Sequence, residues 1–384
     1  MQKILIIHNK YRNIGGEDIA VENEVAMLKE FYEVRILYFS NTVDNYLIQI
    51  KSFLLNNNKK SSLILEDELK SFKPDFAYVH NTWFKASTGI FKILENHNIN
   101  TILKIHNFRY FCTRSFLTKN HLSGSESCNA CGLSKHKLGI FNKYFQESFI
   151  KSLIVNHYGK KYFEIIKTNN IKIFVLTKFH KLFMEKLGIE SEKIQIFPNY
   201  LNINNIKKNK IKENYIVYAG RISKEKGVEE VIKAYKKAKT INLSLRIIGD
   251  GPELNYLKKK YDIKNISFMG EVNNKEVLEI IQKSKAVITG TKLFEGQPTL
   301  LCEASLMGVP SIFPRVGGIL EFFPKDYKLS FEDSNLEDLI KKIKLVDTSE
   351  NIELEGKKAE DYILEFLDKE ALFNKFKKVL SEFK

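Results

Sequence analysis

Short apolar runs alternate with segments of helical period along almost the whole chain. Six runs that resemble strands lie before residue 200, at Ile4–Ile7, Val34–Phe39, Phe76–His80, Thr101–Ile105, Lys172–Leu176 and Lys193–Phe197. Six more follow, at Tyr215–Ala219, Ser244–Ile248, Ile266–Met269, Ala286–Thr289, Val309–Phe313 and Tyr327–Ser330. Unbroken apolar strands that alternate with helices are typical of parallel sheets covered on both faces. The pattern therefore predicts an α/β chain with two doubly wound parallel sheets.

The segments between these runs have the spacing of helices with one apolar face. The clearest example places apolar side chains at i, i+3, i+4, i+7 and i+10, namely Val228, Val231, Ile232, Tyr235 and Ala238. A polar stretch without period, at about 200–213, separates the two sets of strands. We therefore expect domains at 1–200 and 201–384. Residues 352–383 are expected to form two terminal helices, the last of which can cross back onto the first domain.

The composition is that of a folded, basic protein. The chain has 384 residues, 43% hydrophobic and 28% charged, with a formal net charge of +15. Only seven of its 61 basic residues are Arg, and the Lys excess is spread out, somewhat heavier before residue 200. No run of five or six like charges occurs. A nucleic-acid-binding protein would cluster its basic residues with aromatic ones, so this class is disfavoured.

The sequence shows no targeting or membrane-spanning signal. The opening segment has four consecutive apolar residues, Ile4–Ile7, too few for the core of a signal peptide. No stretch approaches the roughly 18 apolar residues of a membrane span. Four cysteines in 384 residues do not form a disulfide scaffold. A cytoplasmic location is expected.

Candidate chemistry lies in the turns after the strands, because ligands of open parallel sheets bind beyond the carboxyl ends of the strands. After the first strand, Gly15 and Gly16 open a helix, where unpaired N–H groups suit an anion, although an ordinary turn fits equally well. The second domain opens with Arg221 and Lys226, two cations that suit a diphosphate. The turn at 249–253 reads as an ordinary helix start.

The densest constellation is the run 294–304, Phe-Glu-Gly-Gln-Pro-Thr-Leu-Leu-Cys-Glu-Ala, followed by Gly317 and Gly318. Glu295 precedes a helix that starts near Thr299, and Glu303 lies inside that helix. The N–H groups of Thr299 and Leu300 would face an incoming phosphate.

The long stretch from about 107 to 137 carries three of the four cysteines. Cys128 and Cys131 are spaced as Cys-x2-Cys, Cys112 precedes them, and His121 and His136 lie nearby. Three thiolates and an imidazole are a possible structural zinc site. Because the spacing does not set the fourth ligand and no second Cys pair exists, the absence of a metal is favoured over a zinc site.

Taken together, these motifs resemble the family-four retaining glycosyltransferases of the GT-B architecture, in which two Rossmann-like domains face across a cleft. The resemblance is strong over 215–323 and moderate over 1–200, where it rests on Gly15-Gly16, the run 103–112, 175–177 and 197–199. Tyr200 stands where the family usually has glycine.

The resemblance implies a role for each matching residue. Arg221 and Lys226 match the pair that holds the donor diphosphate, and Glu295 matches the carboxylate that contacts the donor sugar. The remaining donor-binding residues it implies are Gly16, Val272, Gly296, Gln297, Pro298, Thr299, Leu300 and Glu303. Of these, Val272 lies near the base and Glu303 at the ribose hydroxyls. His106 matches a histidine near the sugar.

The implied reaction is retaining transfer of a hexose from a UDP- or GDP-sugar to a glycan or lipid-linked acceptor. The resemblance places it in bacterial capsule or O-antigen assembly, without a metal cofactor. The more basic first domain adds the hypothesis of peripheral attachment to the inner face of an anionic membrane that bears the acceptor. A sugar-nucleotide epimerase or phosphorylase of the same architecture is the alternative. An inactive partner subunit is disfavoured because Glu295, Arg221 and Lys226 are all present.

Overall fold

A computed structural model describes residues 1–10, 15–40, 46–83, 85–108, 110, 149–202 and 212–383. The chain divides into two compact units, Met1–Leu201 together with Lys369–Lys384, and Asn202–Asp368. This division differs from the expected second range, 201–384, because the last helix packs with the first unit.

The first unit is built on one sheet of six parallel strands. In chain order these are β1 (Lys3–Lys10), β2 (Glu33–Ser40), β3 (Phe76–Val79), β4 (Asn100–Ile105), β5 (Lys172–Val175) and β6 (Ile194–Ile196). Their spatial order is β2-β1-β3-β4-β5-β6. The helices are α1 (Gly16–Leu28), α2 (Tyr46–Leu55), α3 (Lys59–Phe72), α4 (Gly89–Asn96), α5 (Phe149–Thr168) and α6 (Lys178–Lys186), and Ser191–Lys193 forms a 3-10 turn.

The second unit also contains six parallel strands. They are β7 (Tyr215–Ala219), β8 (Ser244–Ile248), β9 (Ile266–Gly270), β10 (Ala286–Ile288), β11 (Ser311–Pro314) and β12 (Ser330–Phe331), in the spatial order β12-β11-β10-β7-β8-β9. The helices are α7 (Val228–Ala238), α8 (Leu254–Lys260), α9 (Asn274–Lys283), α10 (Thr299–Leu306), α11 (Leu336–Thr348) and α12 (Ile352–Phe366). Lys224–Lys226 and Ile319–Phe322 are 3-10 turns.

The chain ends in α13 (Lys369–Ser381), which completes the core of the first unit. Its residues Leu372, Phe376, Val379 and Leu380 are buried in a cluster with side chains of β1, β3, β5 and α1. The ring of Phe376 lies 5.3 Å from that of Tyr78 and 5.9 Å from that of Phe174, centroid to centroid. The last helix is therefore part of the first hydrophobic core.

The apolar pattern predicts the strands well, and both predicted sheets are present and parallel. The five residues predicted as the apolar face of α7 are all buried. The prediction fails at Tyr327, since the last strand comprises Ser330–Phe331. Tyr327 is buried for another reason: its hydroxyl accepts a hydrogen bond from the Ser311 N–H (2.6 Å) and donates one to the Ser311 carbonyl (3.0 Å).

Within the described ranges, no helix combines the length and the apolar character needed to cross a lipid bilayer.

Candidate active site

Four loops of the second unit leave strand ends at the same edge of its sheet, because all six strands are parallel. They follow β7, β9, β10 and β11, and they carry most of the predicted site residues. Arg221 lies in the first loop and is exposed, with its carbonyl bonded to the Tyr218 hydroxyl at 2.9 Å. Val272 follows β9 and is half-buried. The sheet therefore brings these segments to one edge.

Lys226 and Glu295 form an ion pair at this edge. The Lys226 Nζ lies 2.5 Å from Glu295 Oε1, and the two side chains are 33% and 25% exposed. The Thr291 hydroxyl donates to the same carboxylate oxygen at 3.1 Å. Partly desolvated, charge-assisted hydrogen bonds of this kind hold a carboxylate in one orientation. Of the residues predicted to act on the donor, the structure brings these two into direct contact.

A close backbone contact fixes the loop that carries Lys226. Gly227 adopts the left-handed conformation, with φ of 66°, and opens α7. A Cβ atom on Gly227 would lie 1.8 Å from the carbonyl oxygen of Gly290, which follows β10. Only glycine permits both the φ angle and this approach. The contact therefore joins the Lys226 loop to the segment that leads to Glu295.

The Gly317-Gly318 pair supports the Glu295 backbone. The Gly318 N–H donates to the Glu295 carbonyl at 2.9 Å. A Cβ on Gly317, whose φ is 56°, would lie 2.7 Å from that oxygen. The glycine pair that the sequence places after the two glutamates thus positions the first of them.

Helix α10 begins directly after Glu295, Gly296, Gln297 and Pro298. The Leu301 and Cys302 N–H groups donate to the Pro298 carbonyl at 2.9 and 3.0 Å. The preceding N–H groups, of Thr299 and Leu300, have no acceptor among the described residues, as expected at a helix N-terminus. This end of α10 offers donors to an anion.

Glu303 lies one turn inside α10 and is largely buried. Burial raises the pKa of its carboxyl to about 7. The neighbouring Cys302 is a buried free thiol, and burial, followed by the Glu303 charge, raises its pKa well above the usual value. A thiol of this kind is unreactive and packs as a small apolar group.

The first unit has two histidines in contact with each other at the carboxyl edge of its own sheet. His106 follows β4, and its Nε2 lies 3.0 Å from Nδ1 of His80, which follows β3. The rings are stacked, with centroids 5.3 Å apart. Burial lowers the pKa of both well below the usual value for histidine. Burial therefore favours the neutral form of both rings. In that form their tautomers are coupled, because one nitrogen must donate where the other accepts.

The turn at Gly15-Gly16 is held by Asp18. The Gly15 N–H donates to Asp18 Oδ2 at 2.8 Å, and Asp18 Oδ1 lies 2.9 Å from His8 Nε2. Gly16 is the first residue of α1. The predicted glycine turn is thus a helix start whose capping carboxylate reaches a buried histidine.

Several of these contacts were missed by the sequence reasoning. His8, Asp18, His80 and Thr291 were not predicted, although both histidines stand at the ends of apolar runs and were detectable there. A buried Lys104–Glu24 ion pair was missed as well, with the Tyr78 hydroxyl donating to Glu24 at 2.7 Å. Its signal was a lysine inside the apolar run 102–105.

The cysteines considered as the alternative zinc site, Cys112, Cys128 and Cys131, lie outside the described residues. Among the described residues, no group of three His, Cys, Asp or Glu side chains has a geometry suited to a metal ion.

The chain has two units, and each is a parallel sheet with flanking helices. In each unit the candidate site residues follow the carboxyl ends of the strands. This is the GT-B fold, which consists of two Rossmann-like domains. Residues 202–363, which lie within the second unit, match the sequence model of the family described as glycosyl transferases group 1.

Three comparisons show the range of its similarity. An uncharacterized glycosyltransferase of Methanocaldococcus jannaschii, MJ1178, is 25% identical over 95% of this chain and 94% of its own. The lipopolysaccharide 1,2-N-acetylglucosaminetransferase of Salmonella typhimurium is 26% identical over 44% of this chain and 50% of its own. The crystal structure of Anabaena HepE (Alr3699) in complex with UDP-glucose is 13% identical, with a TM-score of 0.69 over 100% of both chains.

Proposed function

We propose that this glycosyltransferase moves a hexose-type sugar from a UDP- or GDP-sugar to a glycan or lipid-linked acceptor, with retention of anomeric configuration. The observation that carries the proposal is the Lys226–Glu295 contact beside the N-terminus of α10. It places a cation that can bind a diphosphate in contact with a carboxylate that can bind a sugar. The UDP-glucose bound to the HepE structure supports a donor of this class.

Each proposed role follows from the charges of the reaction. Breaking the bond between the anomeric carbon and the diphosphate oxygen builds negative charge on the diphosphate. Arg221, Lys226 and the α10 amides at Thr299 and Leu300 stabilise that charge, in contact with Gly296, Gln297 and Pro298. We propose that no metal ion is needed, because these groups supply the positive charge. Glu303 binds the ribose hydroxyls and Val272 lies against the base.

Retention without an enzyme nucleophile is proposed to follow a front-face path. The acceptor oxygen bonds to the anomeric carbon on the side from which the diphosphate leaves. The departing phosphate oxygen takes the proton of the acceptor hydroxyl, so atoms and charge balance. Glu295 orients the sugar and stabilises positive charge at the anomeric carbon. In the first unit, Gly16 is assigned to the donor phosphates or acceptor, and His106 to the sugar.

The biological setting is proposed to be the assembly of bacterial surface polysaccharide such as capsule or O-antigen. The similarity to a lipopolysaccharide N-acetylglucosaminetransferase supports a saccharide acceptor carried on lipid. The protein would then work in the cytoplasm, peripherally on the inner face of the membrane.

A panel of nucleotide sugars tests the donor assignment. A donor that binds only the folded protein stabilises it by about 2.7 kcal/mol at a hundredfold excess over Kd. We expect UDP- or GDP-sugars to raise the thermal midpoint of the wild type and to do so far less in Arg221→Met and Lys226→Met. The exposed Lys237→Met on α7 is the control. No shift with any UDP-, GDP- or ADP-sugar would contradict the assignment.

Product analysis tests the reaction. Nucleotide release that requires a saccharide acceptor supports transfer, whereas release without acceptor, or with inorganic phosphate, supports epimerase or phosphorylase chemistry. The anomeric proton coupling in the NMR spectrum of the product should match the configuration of the donor. An inverted product would refute retention.

A further inference from the structure

The ion pair at the carboxyl edge of the second sheet joins a fixed carboxylate to a flexible cation. Glu295 is held at its backbone by the Gly318 N–H and at its carboxylate by the hydroxyl of the buried Thr291. Lys226 reaches the same carboxylate oxygen from a 3-10 turn on another loop, and its side chain is 33% exposed. A lysine side chain is a compact charge on a flexible aliphatic stem. Lys226 can therefore leave this contact while Glu295 stays in place.

The pair occupies a charge that a diphosphate would use. Arg221, the other cation assigned to the diphosphate, is exposed, and no carboxylate among the described residues forms an ion pair with it. A diphosphate can therefore take Arg221 freely, but it must compete with Glu295 for Lys226. When Lys226 turns to the diphosphate, Glu295 keeps the Thr291 hydroxyl and loses its counter-charge. A partly buried carboxylate without its cation is unfavourable unless another donor replaces it.

The substrate and the product of sugar transfer differ at the end of the diphosphate. In a nucleotide sugar the terminal phosphate is esterified to the sugar, whose hydroxyl groups can donate to Glu295 in place of Lys226. In the free nucleoside diphosphate the same phosphate ends in an ionisable oxygen, so it carries up to one more negative charge near neutral pH and has no sugar hydroxyl attached. A neighbouring carboxylate repels this additional charge.

We infer that Glu295, through its contact with Lys226, selects the intact nucleotide sugar against the nucleoside diphosphate that the reaction releases. With the nucleotide sugar, Lys226 binds the diphosphate and the sugar hydroxyls bind Glu295, so both charges have partners. With the free nucleoside diphosphate, the same movement of Lys226 leaves Glu295 unpaired beside a like charge. Unpaired charges of this kind are a means by which sites reject a competing ligand.

The selection would favour release of the product and limit its inhibition of the next turnover. The inference rests on the proposed function, because it takes a nucleotide sugar as the donor. It adds to the orienting role of Glu295 a second role, in discrimination between two ligands of one site.

Calorimetric titration without acceptor tests the inference. The probes are UMP, UDP and the UDP-sugar that gives the largest thermal shift, or GMP, GDP and the GDP-sugar if that shift is larger. Glu295→Gln keeps the size of the side chain and an oxygen for the Thr291 hydroxyl, but removes the charge. The variant should bind the nucleoside diphosphate about tenfold more tightly than the wild type does, because Lys226 is released and a like charge is lost.

The other two probes show whether this gain is selective. Glu295→Gln should bind the nucleotide sugar no more tightly than the wild type does, because the contact between the carboxylate and the sugar is weakened. It should bind the monophosphate like the wild type, because the monophosphate lacks the terminal phosphate. A variant that binds the diphosphate no more tightly, or that gains equally for the nucleotide sugar, would overturn the inference. Glu295→Ala gives the same comparison if Glu295→Gln loses the wild-type circular dichroism spectrum.

Two further variants separate the ion pair from simple loss of charge. Glu279→Gln removes a carboxylate from an exposed residue of α9 and should leave all three affinities unchanged. In the Lys226→Met background, Glu295→Gln removes only the repulsion, so its gain for the diphosphate should be smaller than in the wild type. Equal gains in the two backgrounds would show that the contact with Lys226 plays no part.

Failure of this inference is distinguishable from failure of the proposed function. If no nucleotide sugar shifts the thermal midpoint of the wild type, the proposed function fails. If nucleotide sugars bind the wild type and Glu295→Gln prefers them over the diphosphate to the same degree, only the selective role of Glu295 fails.

Discussion

At the scale of single residues, the orientation of Glu295 depends on two neighbours that reach the same carboxylate oxygen. Lys226 supplies the charge, and Thr291, which is 3% exposed, supplies a neutral donor from the loop after β10. The sequence pointed to Lys226 and Glu295 but not to their contact, because a distance between residues 69 positions apart depends on the fold. No motif or spacing in the sequence indicates that Thr291 contacts Glu295.

Thr291→Val should lower kcat by about ten- to a hundredfold, because a hydrogen bond to a charged group contributes about 1.5–3 kcal/mol. The shape of the side chain is kept, so the donor KM and the thermal midpoint should change little. Steady-state kinetics would measure the effect, and Thr348→Val on α11 is the matched control. A variant whose KM rises while kcat stays constant would argue against a positioning role.

The raised pKa of the Glu303 carboxyl predicts that donor binding depends on pH. Burial raises its pKa to about 7, so the carboxyl is half protonated at neutral pH. The ionised form accepts hydrogen bonds from hydroxyls more strongly than the neutral acid. The affinity for UDP, measured by calorimetry, should therefore rise about tenfold between pH 6 and 8.

The same measurement on Glu303→Gln should give an affinity that is lower at pH 8 and nearly constant with pH. An unchanged pH profile in Glu303→Gln would show that another group is responsible.

His180 predicts a pH dependence of stability. It packs against Phe108 and Tyr110, with ring centroids 4.4 and 5.6 Å away, and burial lowers its pKa to about 3. Below about pH 6.5 this histidine binds a proton in the unfolded chain but not in the folded protein. It therefore has no effect on the unfolding free energy above about pH 6.5 and lowers that free energy as the pH falls below about 6.5.

His180→Phe should reduce the slope of the unfolding free energy against pH by about 1 kcal/mol per unit between pH 6 and 5. Denaturant titrations at several pH values would measure the slope, with the exposed His97→Phe as the control. Equal slopes in His180→Phe and the wild type would contradict the assignment.

At the scale of elements, the apolar pattern predicted the positions of all the strands but the last, because a buried parallel strand is an uninterrupted apolar run. It misplaced the last strand, where Tyr327 is buried by its bonds to Ser311 rather than by strand pairing. The pattern also did not reveal why Gly227 is glycine. That reason, the approach of the Gly290 carbonyl, belongs to two segments that are distant in sequence.

Gly227→Ala should destabilise the second unit by more than about 3 kcal/mol, because the added methyl group meets the Gly290 carbonyl at 1.8 Å. Gly270→Ala is the control, since Gly270 has a φ of 77° but nothing within 4 Å of the added Cβ, and it should cost about 1 kcal/mol. Thermal unfolding of the two variants measures the difference. Equal effects would show that backbone conformation, not the contact, is what requires glycine.

At the scale of the whole molecule, the pattern predicted two units and allowed the last helix to cross back onto the first, but it did not indicate which side chains that helix contacts. The apolar residues of 369–381 indicate a helix with a buried face, and any core could cover that face. Only the folded structure shows which rings Phe376 of this helix contacts. They are Tyr32, Tyr78, Phe174 and Phe197. His80 and His106 each stand at the end of an apolar run, but their contact depends on the pairing of β3 with β4 and was not predicted.

Phe376→Ala should destabilise the first unit by about 3–5 kcal/mol, because it leaves a cavity among four aromatic rings. Thermal unfolding should show a lower transition for that unit, while the transition of the second unit is unchanged. Lys377→Gln replaces the next residue of α13, which is exposed, and should leave both transition temperatures unchanged. A variant that lowers both transitions equally would mean that the units do not unfold independently.

The return of α13 has a consequence for the order in which the protein is made. A ribosome synthesises the chain from residue 1, and domains usually fold as they emerge. Here the second unit is complete in sequence at Asp368, whereas the core of the first still lacks Leu372, Phe376, Val379 and Leu380. The nascent first unit must therefore keep an open apolar face until α13 has been synthesised. Of the two units, the first is begun earlier and completed later.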